Sequence, residues 1–411
     1  MTPPPLAGKT VAVVHAAWHS CGSYQVNVSQ LRAYKALGAR VISIALMDTP
    51  APKAPNGARW RFYLEATRDL PADRRFFTGP PRSSLLGIGL LMDGWWKLIH
   101  GDQASWLIEL ARRAPLPEGI ETETIDLVHA NHYFTLPFVE RLLAERRVPV
   151  ILETQDIQAR QYVLRNQGGF FIPPRATYDD MLRVELDWMR RADSSVHLNE
   201  EEHVAFQRLL PQARHALVYP AVTPIRLGAG GREMVIVASD NFGNYVSLRW
   251  FLEEVLPLAK GAPVAIYGNI DGGVRARDKP LFEAHRPLFK GRVADIGAVY
   301  AGAACVLLPT IEGHGLSIKA VEALSSGAPL IATPQAFRGM GVDPSRLANV
   351  TLAEDAASFA AALCDVHARI EAGEAPAPRA GSGTRRLYDE AFSADAYART
   401  LAAVAVPMVR G

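Results

Sequence analysis

EGHGLSIKAVEALSSGAPLIAT, residues 312–333, decides how this chain is read. It follows an apolar run, Cys305 to Leu308, that predicts a strand. Gly313, His314 and Gly315 predict a tight turn that leads into a helix carrying Lys319 and Glu322. Gly327 ends that helix, and a second strand, Pro329 to Ala332, begins at once. Strand, turn, helix and strand in this order form a unit of a parallel sheet. A helix N-terminus presents free backbone N–H groups and a partial positive charge, which suit a phosphate. Lys319 and Glu322 are three residues apart and share one helix face. A cation for a diphosphate and a carboxylate for a ribose diol are what a nucleotide-sugar site requires. The plainer reading, glycines that only close a turn and a Lys–Glu pair that only solvates a helix, accounts for less of the pattern.

The segment resembles the donor-site signature of retaining glycosyltransferases with the GT-B fold, the family-4-like, group 1 glycosyl transferases. That signature has a Glu, a Gly-rich turn and a second Glu eight residues on, then an Ala, a Gly and a Pro. Glu322, Ala323, Gly327 and Pro329 fit its second half in register. Eight residues before Glu322 stands His314, while Glu312 opens the local EG-x-GL pattern two residues earlier. A subgroup shows Gly-x-Gly, three residues, then Lys-x-x-Glu, and Gly313, Gly315, Lys319 and Glu322 fit it without gaps. The resemblance implies Glu322 on the ribose, Lys319 with Gly313, Gly315, Leu316 and Ser317 around the rest of the donor, and either Glu312 or His314 at the sugar. It implies an α/β fold of two Rossmann-like domains facing a cleft, with the C-terminal helix crossing back to the first domain. The expected activity is transfer of a hexosyl or related group from a nucleoside-diphosphate-sugar to a glycan or lipid-linked acceptor, with retention, in polysaccharide biosynthesis. No cofactor and no metal are expected, the nucleotide-sugar being a substrate.

The 411 residues are too many for one average core, so two domains are expected. Lys and Arg number 44 against 42 Asp and Glu, which leaves no overall basic footprint for nucleic acid. Cys21, Cys305 and Cys364 show neither zinc spacing nor a disulfide framework and fit a reducing cytoplasm. MTPPPLAGKT lacks the apolar core of a signal peptide. Leu85 to Ile99 is interrupted by three glycines, an Asp and a Lys, and reads as a short buried or interfacial segment rather than a span. The expected location is therefore the cytoplasm, extending to a peripheral contact at the inner membrane face. Oligomeric state is not legible.

Strands alternate with helical periods in two halves. The segment Val222 to Met234, broken by Pro and three Gly, is the expected boundary. The expected domains are 1–221 for the acceptor, 222–385 for the nucleotide-sugar, and a C-terminal helix within 386–411, with Ser393 as a candidate N-cap. Residues 48–118 fit no simple βαβ unit. They hold Trp60, Trp95, Trp96 and Trp106 with Arg59, Arg61, Arg74, Arg75 and Arg82, and read as an acceptor-side insertion or, equally, an aromatic cap on the first core.

Open α/β sheets bind ligands beyond the C-terminal ends of their strands. After the first strand, Thr10 to Val14, Gly22 and Ser23 stand just before a helix expected from Tyr24, placed either to approach the donor diphosphate or to make an ordinary turn. After IDLV come His129, Ala130, Asn131 and His132. The resemblance implies a sugar- or acceptor-binding His here; Asn131 and His132 compete, and His132 is favoured, with His129 pointing inward. Gln155 takes the place of a His that related sequences carry before Asp156. In the second half Ser239, Asp240 and Asn244 follow the first strand, ahead of a helix expected near Val246. The Arg and Lys that usually clamp the diphosphate are missing from their normal places, so Lys319 is the substitute and Arg249 a weaker one. Gly268 and Asn269 end the next strand, and Arg292 and Val293 lie similarly after Gly291, where the resemblance puts the base. No Asp-x-Asp motif or His/Cys cluster with metal spacing is present. Two other functions fit the same fold: a nucleotide-sugar epimerase or hydrolase, and a non-catalytic partner protein that has lost turnover. A dinucleotide-dependent dehydrogenase is disfavoured, because VAVVHAAWHSCGS lacks three-glycine spacing.

Overall fold

The computed structural model describes residues 3–19, 21–48, 58–81, 88–144, 146–166, 171–259 and 261–410. The chain divides into two compact units, Met1–Ala221 with Tyr397–Gly411, and Val222–Ala396.

The first unit is built on seven parallel strands among the described residues: β1 Thr10–Ala16, β2 Arg40–Leu46, β3 Arg74–Thr78, β4 Leu127–Asn131, β5 Val150–Glu153, β6 Ser194–His197 and β7 His215–Leu217. Their order in the sheet is β3-β2-β1-β4-β5-β6-β7. β1, TVAVVHA, is buried at every position. A continuous apolar, β-branched run of this kind suits a parallel strand covered on both faces. One face packs Ala12, Val14, Ile42 and Ile44 under the helix Gln103–Arg113. The other packs Val11, Val13 and Val41 against Tyr34, Tyr397, Leu401 and Ala405.

The second unit has six parallel strands: β8 Met234–Val237, β9 Val264–Tyr267, β10 Phe289–Gly291, β11 Cys305–Leu308, β12 Leu330–Ala332 and β13 Val350–Leu352. Their order, β10-β9-β8-β11-β12-β13, repeats that of the first sheet. In each sheet the strand order reverses beside the first strand, between β1 and β4 and between β8 and β11. Such switch points are where open parallel sheets leave a crevice. Both units are therefore Rossmann-like.

Several sequence expectations need correction. Residues 48–118 are not wholly an insertion: the helix Ala58–Ala66 and β3 continue the first sheet, Phe76 pairing with Ile44. The five-residue edge strand RRFFT, two arginines followed by two phenylalanines, carries too little period-two signal to read. Residues 49–57 and 82–87, including Arg82, lie outside the described residues. Within Leu85 to Ile99, Leu90 and Gly94 are buried, whereas Leu91, Met92, Trp95, Trp96 and Ile99 are exposed. The C-terminal stretch is two helices, Gly383–Ala391 and Ala394–Arg410, the second started by the Ser393 hydroxyl accepting the Ala396 N–H at 3.1 Å. Tyr397 onward belongs to the first unit. Among the described residues, no helix is long and apolar enough to cross a membrane.

Candidate functional site

β11 ends in a loop that leads into the helix Ile318–Ser326. The Ser317 hydroxyl caps that helix by accepting the Ala320 N–H at 3.3 Å. Gly327 closes it in the left-handed conformation, φ 65°. Ala320, Val321, Ala323 and Leu324 are buried, so the amphipathic pattern fixes the helix against the sheet. Lys319 and Glu322 are left on the half-exposed face, as their spacing predicts.

A pocket of about 350 Å³ opens at the start of this helix. Ala238 and Ser239 after β8, Gly268 after β9 and Arg292 after β10 form three sides; Lys319 and Glu322 form the fourth. The pocket thus occupies the switch-point crevice of the second sheet, at the C-terminal ends of its strands. Gly268 is needed for its shape. At φ 115° it donates its N–H to the Gly291 carbonyl at 2.8 Å, and a Cβ there would stand 1.9 Å from the Ala238 carbonyl oxygen.

Burial raises the Glu322 carboxyl above the ordinary range, against the hydrogen bond from the Tyr300 hydroxyl (3.3 Å) and the charge of Lys319. Burial also lowers Lys319 to about 8; Glu322 opposes that shift, and the Arg338 guanidinium adds to it. Arg338 itself lies against the glycine turn. A Cβ on Gly313 would meet its Nη2 at 2.7 Å. Its Nη1 donates to the Gln335 carbonyl at 3.1 Å, and Gln335 Nε2 donates to the Gly313 carbonyl at 3.2 Å. The Ser247 hydroxyl accepts the Ile311 N–H at 3.1 Å and so pins the approach to the turn on the helix Phe242–Trp250.

Of the residues expected in the second unit, Ser239, Gly268, Arg292, Lys319 and Glu322 come together in this pocket. Gly313, Gly315, Leu316 and Ser317 form the turn and cap before the helix, but they do not line the pocket. Nor do Glu312 and His314, whose side chains are half-exposed and 3.9 Å apart. Asn244 is in a helix that begins at Phe242 rather than near Val246, and its amide donates to the Ser239 carbonyl at 2.8 Å, bracing the pocket wall. The early start comes from Asn241, whose side chain caps the first turn. Arg249 is paired with Glu253 at 2.8 Å along its own helix and is not among the pocket residues. Arg338, Tyr300 and Ser247 were not read from the sequence. An isolated Arg in AFRGMG, a Tyr in an apolar helix and a Ser in another carry no spacing signal.

In the first unit Gly22 and Ser23 are the first residues of the helix Gly22–Ala36, not of a loop before it. Cys21 is its N-cap, extended and without a side-chain cap bond. His132 follows β4 with φ 64° and ψ 136° and is 3% exposed. Its ring stacks on Phe134 at 4.9 Å and meets Trp18 edge-on at 5.1 Å. The His132 backbone N–H donates to the Glu153 carbonyl at 2.9 Å. Asn131, the competing residue, is committed inside: its amide pairs with Gln30 at 2.8 and 3.0 Å and accepts from Gln155 at 2.9 Å. His129 is fully buried, its Nδ1 2.8 Å from the Tyr34 hydroxyl, and burial pushes it down to about 3. Gln155 also has a positive φ, 66°, so two strained residues follow neighbouring strands at this edge. Among the described residues, no group of three or more His, Cys, Asp or Glu side chains is arranged to hold a metal.

Residues 232–369 match the family described as glycosyl transferases group 1. A comparison with curated protein sequences gives no match. Sucrose-phosphate synthase from Thermosynechococcus elongatus is similar in structure, with TM-score 0.59, 17% identity, and 96% of this chain and 98% of that one covered. Anabaena HepE, solved with UDP, gives TM-score 0.57 at 15% identity over 96% and 99% of the two chains. The pneumococcal O-GlcNAc transferase GtfA, solved with UDP and GlcNAc, gives 0.56 at 12% over 98% and 99%. The chain thus has the GT-B fold, with two Rossmann-like domains, and its second unit carries the segment that matches the group 1 glycosyl transferases.

Proposed function

We propose that this protein is a retaining glycosyltransferase that takes a sugar from a nucleoside-diphosphate-sugar and places it on a glycan or lipid-linked acceptor. The observation that carries the reading is the meeting of Glu322, Lys319, Gly268 and Arg292 in one pocket at the switch point of the second sheet. The family match spans all four residues, and HepE has been solved with UDP-glucose, which supports a nucleotide-sugar as donor.

In this reading Glu322 accepts hydrogen bonds from the ribose hydroxyls, and Gly268 with Arg292 borders the base. Lys319 and the start of the helix Ile318–Ser326 face the diphosphate. As the glycosidic bond breaks, negative charge grows on the departing diphosphate. A fixed cation and oriented N–H groups stabilise that charge without reorganising, which lowers the barrier. No metal is invoked for this step. Glu312 or His314 would contact the sugar. In the first unit, His132 is the candidate to hold an acceptor hydroxyl, and its strained backbone is the kind found at functional positions. Gly22 and Ser23 offer N–H groups from a helix start. Retention and the role of His132 rest on the resemblance; the cytoplasmic location with a peripheral membrane contact rests on the cysteine pattern and the composition of the N-terminal stretch.

Calorimetry with UDP, GDP, ADP and dTDP tests the donor site. Lys319→Ala and Glu322→Gln are each expected to weaken the preferred nucleotide roughly tenfold or more, the scale of one charge-assisted hydrogen bond. Unchanged affinity in both variants would reject the site.

A further inference from the structure

The helical run from Ile88 to Ile99, built of Ile88–Leu90, Leu91–Trp95 and Trp96–Ile99, is apolar on two faces. Packing explains the inner face. Leu90 and Gly94 are buried, and a Cβ on Gly94 would stand 2.7 Å from Leu90 Cδ1 and 3.1 Å from Trp106 Cε3 of the helix Gln103–Arg113. Trp95 leans on Trp106, their ring centres 4.6 Å apart. Nothing in the first core explains the outer face. Leu91, Met92, Trp95, Trp96 and Ile99 follow one another along it at helical spacing, and each is 37% to 58% exposed. Ile172, also exposed, lengthens the stripe. Its N–H donates to the Ile99 carbonyl at 3.0 Å, and its carbonyl accepts from His100 Nδ1 at 2.6 Å.

A surface helix ordinarily turns its charges outward, and a contiguous exposed apolar patch marks an interaction surface. Three observations say what covers this one. Trp95 and Trp96 have indole N–H groups without a hydrogen-bond partner among the described residues. A ring with an apolar body and a donor to spare suits the headgroup boundary of a bilayer. Two exposed cations flank the stripe, Lys97 on the helix and Arg175, which is held there by the Ala176 N–H donating to the His100 carbonyl at 2.8 Å. Neither has an ion-pair partner among the described residues, and Asp93 is the carboxylate that the helix sets against them. Long cationic side chains beside an apolar stripe reach anionic headgroups while the stripe enters the acyl boundary. The helix Gln103–Arg113, finally, packs on both the Leu91–Trp95 turn and the Tyr133–Thr135 turn that follows His132. The patch is thus one helix away from the residue proposed to hold the acceptor.

From this geometry we infer that the outer face of the run Ile88–Ile99, with Ile172, Lys97 and Arg175, is the surface by which the protein lies on an anionic lipid bilayer. The inference rests on the membrane contact proposed above and names the residues that make it. A short stripe with few cations gives reversible, peripheral attachment.

The test is sedimentation of the full chain with vesicles of phosphatidylcholine, with and without added phosphatidylglycerol. The parent is expected to bind the anionic vesicles several-fold more tightly, with binding that weakens as salt is raised. Leu91→Gln with Trp96→Gln should weaken it at least roughly tenfold, the scale of losing buried apolar side chains. Lys97→Glu with Arg175→Glu should abolish the preference for anionic vesicles. Both double variants should keep the parent's melting temperature and nucleotide affinity. No vesicle binding by the parent, equal binding to the two vesicles, or parent-like binding by Leu91→Gln with Trp96→Gln would overturn the inference. So would light scattering that shows a parent dimer split by that variant with no vesicle binding, which assigns the patch to a second copy of the chain. Nucleotide binding without vesicle binding removes this inference alone. Vesicle binding by a parent that takes no nucleotide leaves the patch standing while the donor site fails.

Discussion

Burial of the Lys319 ammonium lowers its pKa to about 8, and this has a consequence for binding. Below that pH the free protein already holds the cation a diphosphate needs. Above it, binding must recapture a proton, so affinity should fall by up to about tenfold per pH unit. Phosphate groups have lost their last proton well below this range, with second pKa about 6, so the ligand does not supply the dependence. For folding the sign is opposite. A lysine whose folded pKa is depressed carries its full burial cost below about pH 8 and is relieved of it as pH rises toward the unfolded value of about 10.4. Dissociation constants measured from about pH 7 to 9.5 should therefore rise above about pH 8 in the parent and stay flat in Lys319→Met. A flat parent profile would mean that the ammonium does not meet the ligand. Glu322 and Lys319 were legible because helical spacing fixes a shared face. Arg338 was not, because its partner Gly313 is 25 positions away and the link is a packing contact.

At the scale of elements, the pocket depends on the backbone where β9 ends. Gly268→Ala would place a methyl 1.9 Å from the Ala238 carbonyl and force a positive φ on a residue with a side chain. The expected cost is about 3 kcal/mol or more, from strain and the displaced β8 end together. Thermal unfolding should show the second unit melting first, with nucleotide affinity lost below that transition. An unperturbed melt with full affinity would show that the β8–β9 contact does not shape the site. Sequence periodicity found most strands because parallel strands covered on both faces are continuous apolar runs, as in TVAVVHA and CVLL. It misses β3, where RRFFT at the sheet edge mixes charge with only two aromatics, and the three-residue edge strand β13. A side-chain cap accounts for one shifted helix start. Asn241 sets that start at Phe242 rather than Val246, which brings the Asn244 amide onto the Ser239 carbonyl. Gly22 and Ser23 begin their helix without a capping side chain, since Cys21 at the N-cap makes no such bond.

At the scale of the whole molecule, two sheets with the same strand order each carry polar groups at the reversal of that order. In the second unit the reversal holds the pocket with Lys319 and Glu322; in the first it is flanked by His132 and the start of the helix Gly22–Ala36. The last helix belongs mainly to the first unit, where Tyr397, Leu401 and Ala405 are buried against β1 and β2 residues. The chain therefore closes its first core with its last residues, a feature that the resemblance implied and that spacing alone left open. A crystal structure of the protein with its preferred nucleoside diphosphate tests the central claim most directly. The ribose should hydrogen-bond the Glu322 carboxylate, with the diphosphate against Lys319 and the glycine turn. A nucleotide bound elsewhere, with Glu322 and Lys319 untouched, would contradict it.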